Sequence, residues 1–100
     1  MMKPIRIRSS RYLAHVRGKP CLLCGAGADA HHLQYMQPRA MSKKTGDQWA
    51  VPLCRTHHSE LHLSHLKEKT WWSTHGIIPE VWAENEYKNW AKENEGLQDG

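Results

Sequence analysis

Two short ligand pairs constrain this chain more than any other feature. Cys21-Leu22-Leu23-Cys24 and Cys54-Arg55-Thr56-His57 each set two metal-binding side chains two residues apart, with 29 residues between the pairs. A pair at that spacing grips one ion through a tight turn. Two pairs close a tetrahedral Cys3His shell of the structural zinc kind, with no position left open. Size makes the reading natural, because 100 residues supply one small domain whose core benefits from a staple. Three cysteines are an odd number for a disulfide framework and point to a reducing compartment with metal. The competing readings are three buried free thiols or a redox Cys-x-x-Cys, which here lacks the strand–turn–helix surroundings that such a motif needs. His57 and His58 are adjacent and either can complete the shell. His57 repeats the two-residue spacer of the first pair and leaves His58 for a second cluster.

The chain holds eight histidines, more than one zinc shell uses. His31 and His32 fall in an extended segment, and His58 and His62 are four residues apart on an expected helix, one turn from each other. Two helical histidines and one strand histidine make a three-ligand site with room for substrate and water, the catalytic kind of metal site. Neighbours on a strand face opposite ways, so one of His31 and His32 is expected to bind the ion and the other to face the water. A neutral imidazole with a pKa near ~6.5 suits a general base. Asp29, Asp47 or a backbone carbonyl is expected to orient it through its other ring nitrogen. The plain alternative is a surface histidine cluster.

The formal charge of +4 conceals a strong asymmetry. Residues 1–75 carry 12 of the 14 Lys and Arg and 4 of the 10 Asp and Glu, a balance of +8, whereas residues 76–100 carry 2 and 6, a balance of −4. No acid precedes Asp29, while Lys3, Arg6, Arg8, Arg11, Arg17 and Lys19 do. Such an arm is either simply solvated or a phosphate binder. Arg39, Lys43 and Lys44 add cations to the loop between the two extended segments. No apolar run reaches the length of a membrane span, and no leader-like segment precedes the first motif, so the expected compartment is the cytoplasm and no membrane partner is expected.

Local signals order the elements as helix, knuckle, strand, loop, strand, helix, helix. Ser9 or Ser10 caps a short helix over 11–17 that stops at Gly18. Residues 21–27 form a turn, 28–33 and 49–53 are extended, and 34–47 are loop. Helical periodicity begins at Thr56. A last helix runs over 79–94, with Ala83, Tyr87, Trp90 and Ala91 on one face. His65 lies on the helical face of His58 and His62 and is expected to be solvated. In a chain without Phe, Trp71, Trp72, Trp82 and Trp90 are expected to pack core rather than stack bases.

The run Cys21-x-x-Cys24, Ala30-His31-His32-Leu33 and Val51-Pro52-Leu53-Cys54-x-x-His57-His58-x-x-x-His62 resembles the HNH endonucleases. More narrowly it is similar to the small phage and prophage HNH proteins that include the RecA-dependent Ref nuclease. The likeness covers about residues 20–75. It implies an α+β fold: a small, zinc-braced ββα-metal (His-Me finger) core over 20–75, a basic arm and short helix over 1–19, and an acidic helix and tail over 76–100. It further implies His31, His58 and His62 as ligands of a catalytic divalent ion (Mg²⁺, Mn²⁺, Ni²⁺ or Zn²⁺), His32 as general base, and Cys21, Cys24, Cys54 and His57 as holders of a structural Zn²⁺. One departure stands out. Many HNH enzymes carry an Asn about five residues before the third zinc ligand, and here that position is Trp49, flanked by Asp47 and Gln48. Either Asp47 or Gln48 braces the base instead, or catalysis is weakened.

The expected function is therefore a metal-dependent DNA endonuclease of low sequence specificity, with Arg6, Arg8, Arg11, Arg39, Lys43 and Lys44 contacting phosphates. The alternatives are a non-catalytic zinc module that binds DNA or protein, and a nuclease that works only on a RecA filament.

Overall fold

The computed structural model describes residues 7–36 and 45–94. Within them the chain forms an α+β fold of two strands and four α-helices: α1 (Ser10–Arg17), β1 (Asp29–His32), β2 (Ala50–Leu53), α2 (Arg55–Leu63), α3 (Glu68–Thr74) and α4 (Pro79–Glu93). Single 3-10 turns, Gln34–Met36 and Asp47–Trp49, follow β1 and precede β2. The expected cations Arg6, Arg39, Lys43 and Lys44 and the tail over 95–100 lie outside the described residues.

The strands pair antiparallel, with His31 opposite Val51 and His32 opposite Ala50. All four residues of β2 are buried, because the period-2 alternation of a strand serves two apolar clusters at once. Ala50 joins Tyr12 and Val16 of α1, with Ala30, Tyr87 and Trp90 packed around them. Val51 and Leu53 join Leu33, Trp71, Trp72, Ala83 and two of the cysteines on the other side. His31 and His32 therefore inherit opposite surroundings from their position alone. Pro52 is tolerated within this two-stranded pairing because both strands are edges.

Ser9 caps α1, its hydroxyl accepting from the Tyr12 amide at 3.1 Å. The Tyr12 ring meets Tyr87 edge-on at 5.0 Å and Trp90 at 5.2 Å. His15 and Lys19 reach Glu86 at 2.6 and 3.6 Å. These contacts fix the acidic α4 across the basic α1, with the Ala83, Tyr87 and Trp90 face turned inward as the periodicity implied.

The helix α3 departs from the expected order. Its seven residues contain adjacent buried tryptophans, Trp71 and Trp72. A helix so short, with neighbouring apolar residues rather than a repeating face, shows no 3.6-residue period in sequence. Trp72 is fully buried, and the two indoles meet edge-on at 5.2 Å. They act as core, filling the place that Phe takes in other small domains.

Candidate metal centres

Cys21, Cys24, Cys54 and His57 converge, with one ligand atom from each lying within 4.8 Å of the others. Cys24 Sγ is 3.6 Å from Cys54 Sγ, and His57 Nδ1 is 3.3 Å from Cys54 Sγ and 4.0 Å from Cys21 Sγ. A tetrahedral zinc with bonds of ~2.3 Å to sulfur and ~2.0 Å to nitrogen has edges of about 3.5–3.8 Å. The four donors fit such an ion in spacing and in chemistry. His57, not His58, completes the group, which settles the choice between the two adjacent histidines.

Local backbone rules place each of these donors. The first pair sits on a turn in which the Gly25 amide donates to the Cys21 carbonyl at 2.9 Å, and Gly25 has a φ of 79°, a conformation that glycine adopts without strain. Cys54 follows the last residue of β2 and is the N-cap of α2, its sulfur accepting from the His57 amide at 3.5 Å. Burial pushes the Cys21 thiol up, but the backbone amides of Cys54, Leu23 and Cys24 and the Cys24 side chain outweigh it and bring the thiol down to about 6. A thiol so tuned is readily a thiolate, the form that binds metal.

The second histidine group is built from β1 and from α2, the helix that also carries His57. His58 Nε2 and His62 Nε2 are 3.2 Å apart, the spacing of two nitrogens on one ion of bond length about 2.1 Å. Burial lowers the His58 pKa, and His31 and His62 lower it further against the opposite pull of Asp29 and Glu68. The His31 ring lies edge-on to that of His58, centroids 5.1 Å apart. Its Nε2 is engaged by Glu68 Oε2 at 2.7 Å. Among the described residues no second group of three donors meets the 4.8 Å condition of the knuckle. The structure thus brings His58 and His62 together as a pair of donors and sets His31 beside them with one nitrogen occupied.

His32 faces the other way. Its Nε2 meets Asp47 Oδ1 at 2.8 Å, and Asp47 Oδ2 accepts the Ser9 amide at 2.7 Å. With Nε2 donating its proton to the carboxylate, Nδ1 carries the lone pair. Of the two carboxylates expected to orient a base, Asp47 lies against His32. Asp29 instead lines a cavity of about 270 Å³ together with His31, His32, Gln34 and His58. Trp49 is half-buried and packs against the core, and Asp47, two residues earlier, is the residue that meets His32. Gln48 Oε1 accepts the Ile7 amide at 3.3 Å instead. Arg8 and Arg11 are exposed at the start of α1, and His65 is exposed beyond α2.

Glu68 is the residue that sequence reasoning overlooked. Its carboxylate is 13% exposed and takes three donors: His31 Nε2, Trp72 Nε1 at 3.0 Å and the Gln34 amide at 3.2 Å. Burial would raise its pKa, yet the bonds from His31, Trp72 and Gln34 hold it below the usual carboxylate range. A signal was present: Asp29, Asp47, Glu60 and Glu68 are the four acids of residues 1–75. Three of them bind histidines, Asp47 to His32, Glu68 to His31 and Glu60 to His75.

A family model described as "Protein of unknown function (DUF968)" matches residues 1–94. The uncharacterized protein YdfU of Escherichia coli (strain K12) is 43% identical over 53 residues, which cover 52% of this chain and 15% of that relative. The chain therefore spans a small part of the length of the curated relative it matches. No solved structure matches the chain. With the match running from the basic arm through the metal-binding core to the end of α4, the chain belongs to the DUF968 family.

Proposed function

We propose that this domain is a metal-dependent DNA endonuclease of the HNH kind, braced by one structural zinc. The observation that carries the reading is the His31–His32 step on β1. One histidine lies against the His58–His62 donor pair, and the next has Nε2 bound to a carboxylate and a lone pair at Nδ1. That is the division of labour that phosphodiester hydrolysis needs, a ligand beside a base that is itself not a ligand.

His31, His58 and His62 would hold the divalent ion. Bound there, it supplies charge neutralisation at the phosphodiester and at the departing oxygen. His32 Nδ1 would take a proton from water, the water oxygen would form the new bond to phosphorus, and the bond from phosphorus to the sugar oxygen would break, its electron pair leaving with that oxygen, which then takes a proton from solvent. Asp47 fixes the tautomer of His32 and stabilises its protonated form. Asp47 is itself positioned by the Ser9 amide, which ties the base to the arm that carries Arg8 and Arg11. Those cations, with Arg6, Arg39, Lys43 and Lys44, would hold the duplex by its phosphates.

Nicking of supercoiled plasmid tests the proposal, with Mg²⁺, Mn²⁺, Ni²⁺ and Zn²⁺ each added to the purified protein, with and without RecA-coated single strands. Cleavage by wild type that depends on added metal supports it, and cleavage only with the filament identifies the RecA-dependent form. The engagement of His31 Nε2 by Glu68 favours one second reading, a zinc module that binds DNA without cutting it. Retarded DNA with no cleavage under any of these conditions selects that reading.

Asp47→Ala is expected to lower kcat by about 10–100-fold, the usual effect of removing a carboxylate that orients a functional histidine. Zinc content should stay at the wild-type value. Steady-state nicking rates together with metal analysis check both halves of that expectation.

A further inference from the structure

The adjacent histidines of β1 are each held through Nε2 by a carboxylate from a different element, His32 by Asp47 and His31 by Glu68. The Glu68 contact is the more enclosed of the two, with side-chain exposures of 10% for His31 and 13% for Glu68. We infer that Glu68 is the positioning residue of the second metal site, fixing His31 as the tautomer whose Nδ1 is left to bind a divalent cation next to His58 and His62. The inference rests on the proposed cation site and adds a residue to it from α3, outside the strand and the helix that carry the histidines.

The chemistry is specific. Both oxygens of Glu68 are occupied by donors, so the carboxylate is acceptor only and His31 must present Nε2–H to it. A neutral imidazole with Nε2 protonated has a single lone pair, at Nδ1. Donation to an anion also makes that nitrogen a stronger ligand. Trp72 and Gln34 aim the carboxylate through the indole N–H and a backbone amide. Trp72 is fully buried, so the carboxylate is anchored to the core itself. Glu68 also fastens α3 to the segment after β1, and the test must separate that structural role from positioning.

Zinc-loaded protein titrated with Ni²⁺ in a calorimeter provides the test, with ¹⁵N spectra of the histidine rings as a second readout. Wild type should take up one Ni²⁺ beyond the knuckle zinc, and His58→Ala should lose that uptake. Glu68→Ala should bind Ni²⁺ about 10–100-fold more weakly, the range for loss of a carboxylate behind a metal-binding histidine, and its His31 ring should lose the single Nε2–H tautomer. Glu68→Gln, which keeps shape and one acceptor, should fall between Glu68→Ala and wild type. Trp72→Phe, which removes one of the bonds that aim the carboxylate but leaves its charge and the Gln34 amide bond, should weaken Ni²⁺ binding less than Glu68→Ala does. Unchanged affinity in Glu68→Ala overturns the inference, as does a loss in Trp72→Phe equal to that in Glu68→Ala. If Glu68→Ala does not fold, unchanged Ni²⁺ affinity in Glu68→Gln overturns it. Wild type without the second Ni²⁺ overturns the cation site and this inference together. Loss in His58→Ala with none in the Glu68 variants overturns this inference alone.

Discussion

Cys24→Ser should release one equivalent of zinc and unfold the domain. Cys24 is exposed, whereas Cys21 and Cys54 are buried, so this substitution removes a ligand and almost no packing. Its effect is then an effect of the metal. Structural zinc contributes roughly 10–16 kcal/mol of apparent binding free energy in small zinc-finger peptides near neutral pH. Small domains are stable by only about 5–15 kcal/mol in total. Loss of a thiolate from the shell is therefore expected to exceed the margin. Native mass spectrometry should show one zinc in wild type and none in Cys24→Ser, and circular dichroism should show loss of helix. A variant with wild-type melting temperature and no zinc would overturn the assignment. Chelation of wild-type zinc should reproduce the unfolding.

His32→Ala should lower cleavage by about 10²–10⁴-fold, the contribution of a positioned general base, while leaving the fold and both metal sites in place. His32 is 30% exposed in its side chain and belongs to neither buried cluster, so truncation costs little packing. Its loss should therefore appear in kcat, with zinc content and Ni²⁺ uptake unchanged. His58→Ala should differ in kind, losing cleavage and the second metal together. Equal nicking by His32→Ala and wild type would remove His32 from the base role.

Much of the fold is legible in the sequence because its signals are local. Ser9 ahead of α1, Pro79 at the first turn of α4 and the face of Ala83, Tyr87 and Trp90 follow from capping and periodicity. Ligand spacing identified the Cys3His group down to the choice of His57, since a turn geometry fixes which side chains meet. The helix α3 was not legible, because Trp71 and Trp72 are neighbours and are buried by tertiary contact rather than by a face of their own helix. Glu68 was hidden for the same reason. It is 37 residues from His31 in sequence, and nothing local joins a strand histidine to a carboxylate on a helix whose existence was not expected. Asp47 was easier, as it lies on the turn that leads directly into the strand paired with β1.

Cys54 has a further consequence. A single sulfur ends β2, begins α2 and offers the third bond to the knuckle metal. Strand, helix and knuckle meet in this one residue, so replacing Cys54 is expected to cost the knuckle a ligand and the helix that carries His58 and His62 its cap together. Zinc supply is thus expected to act as a licence for the proposed second site: a chain made without zinc should present the His58–His62 pair poorly, and the proposed hydrolysis should then depend on a filled knuckle.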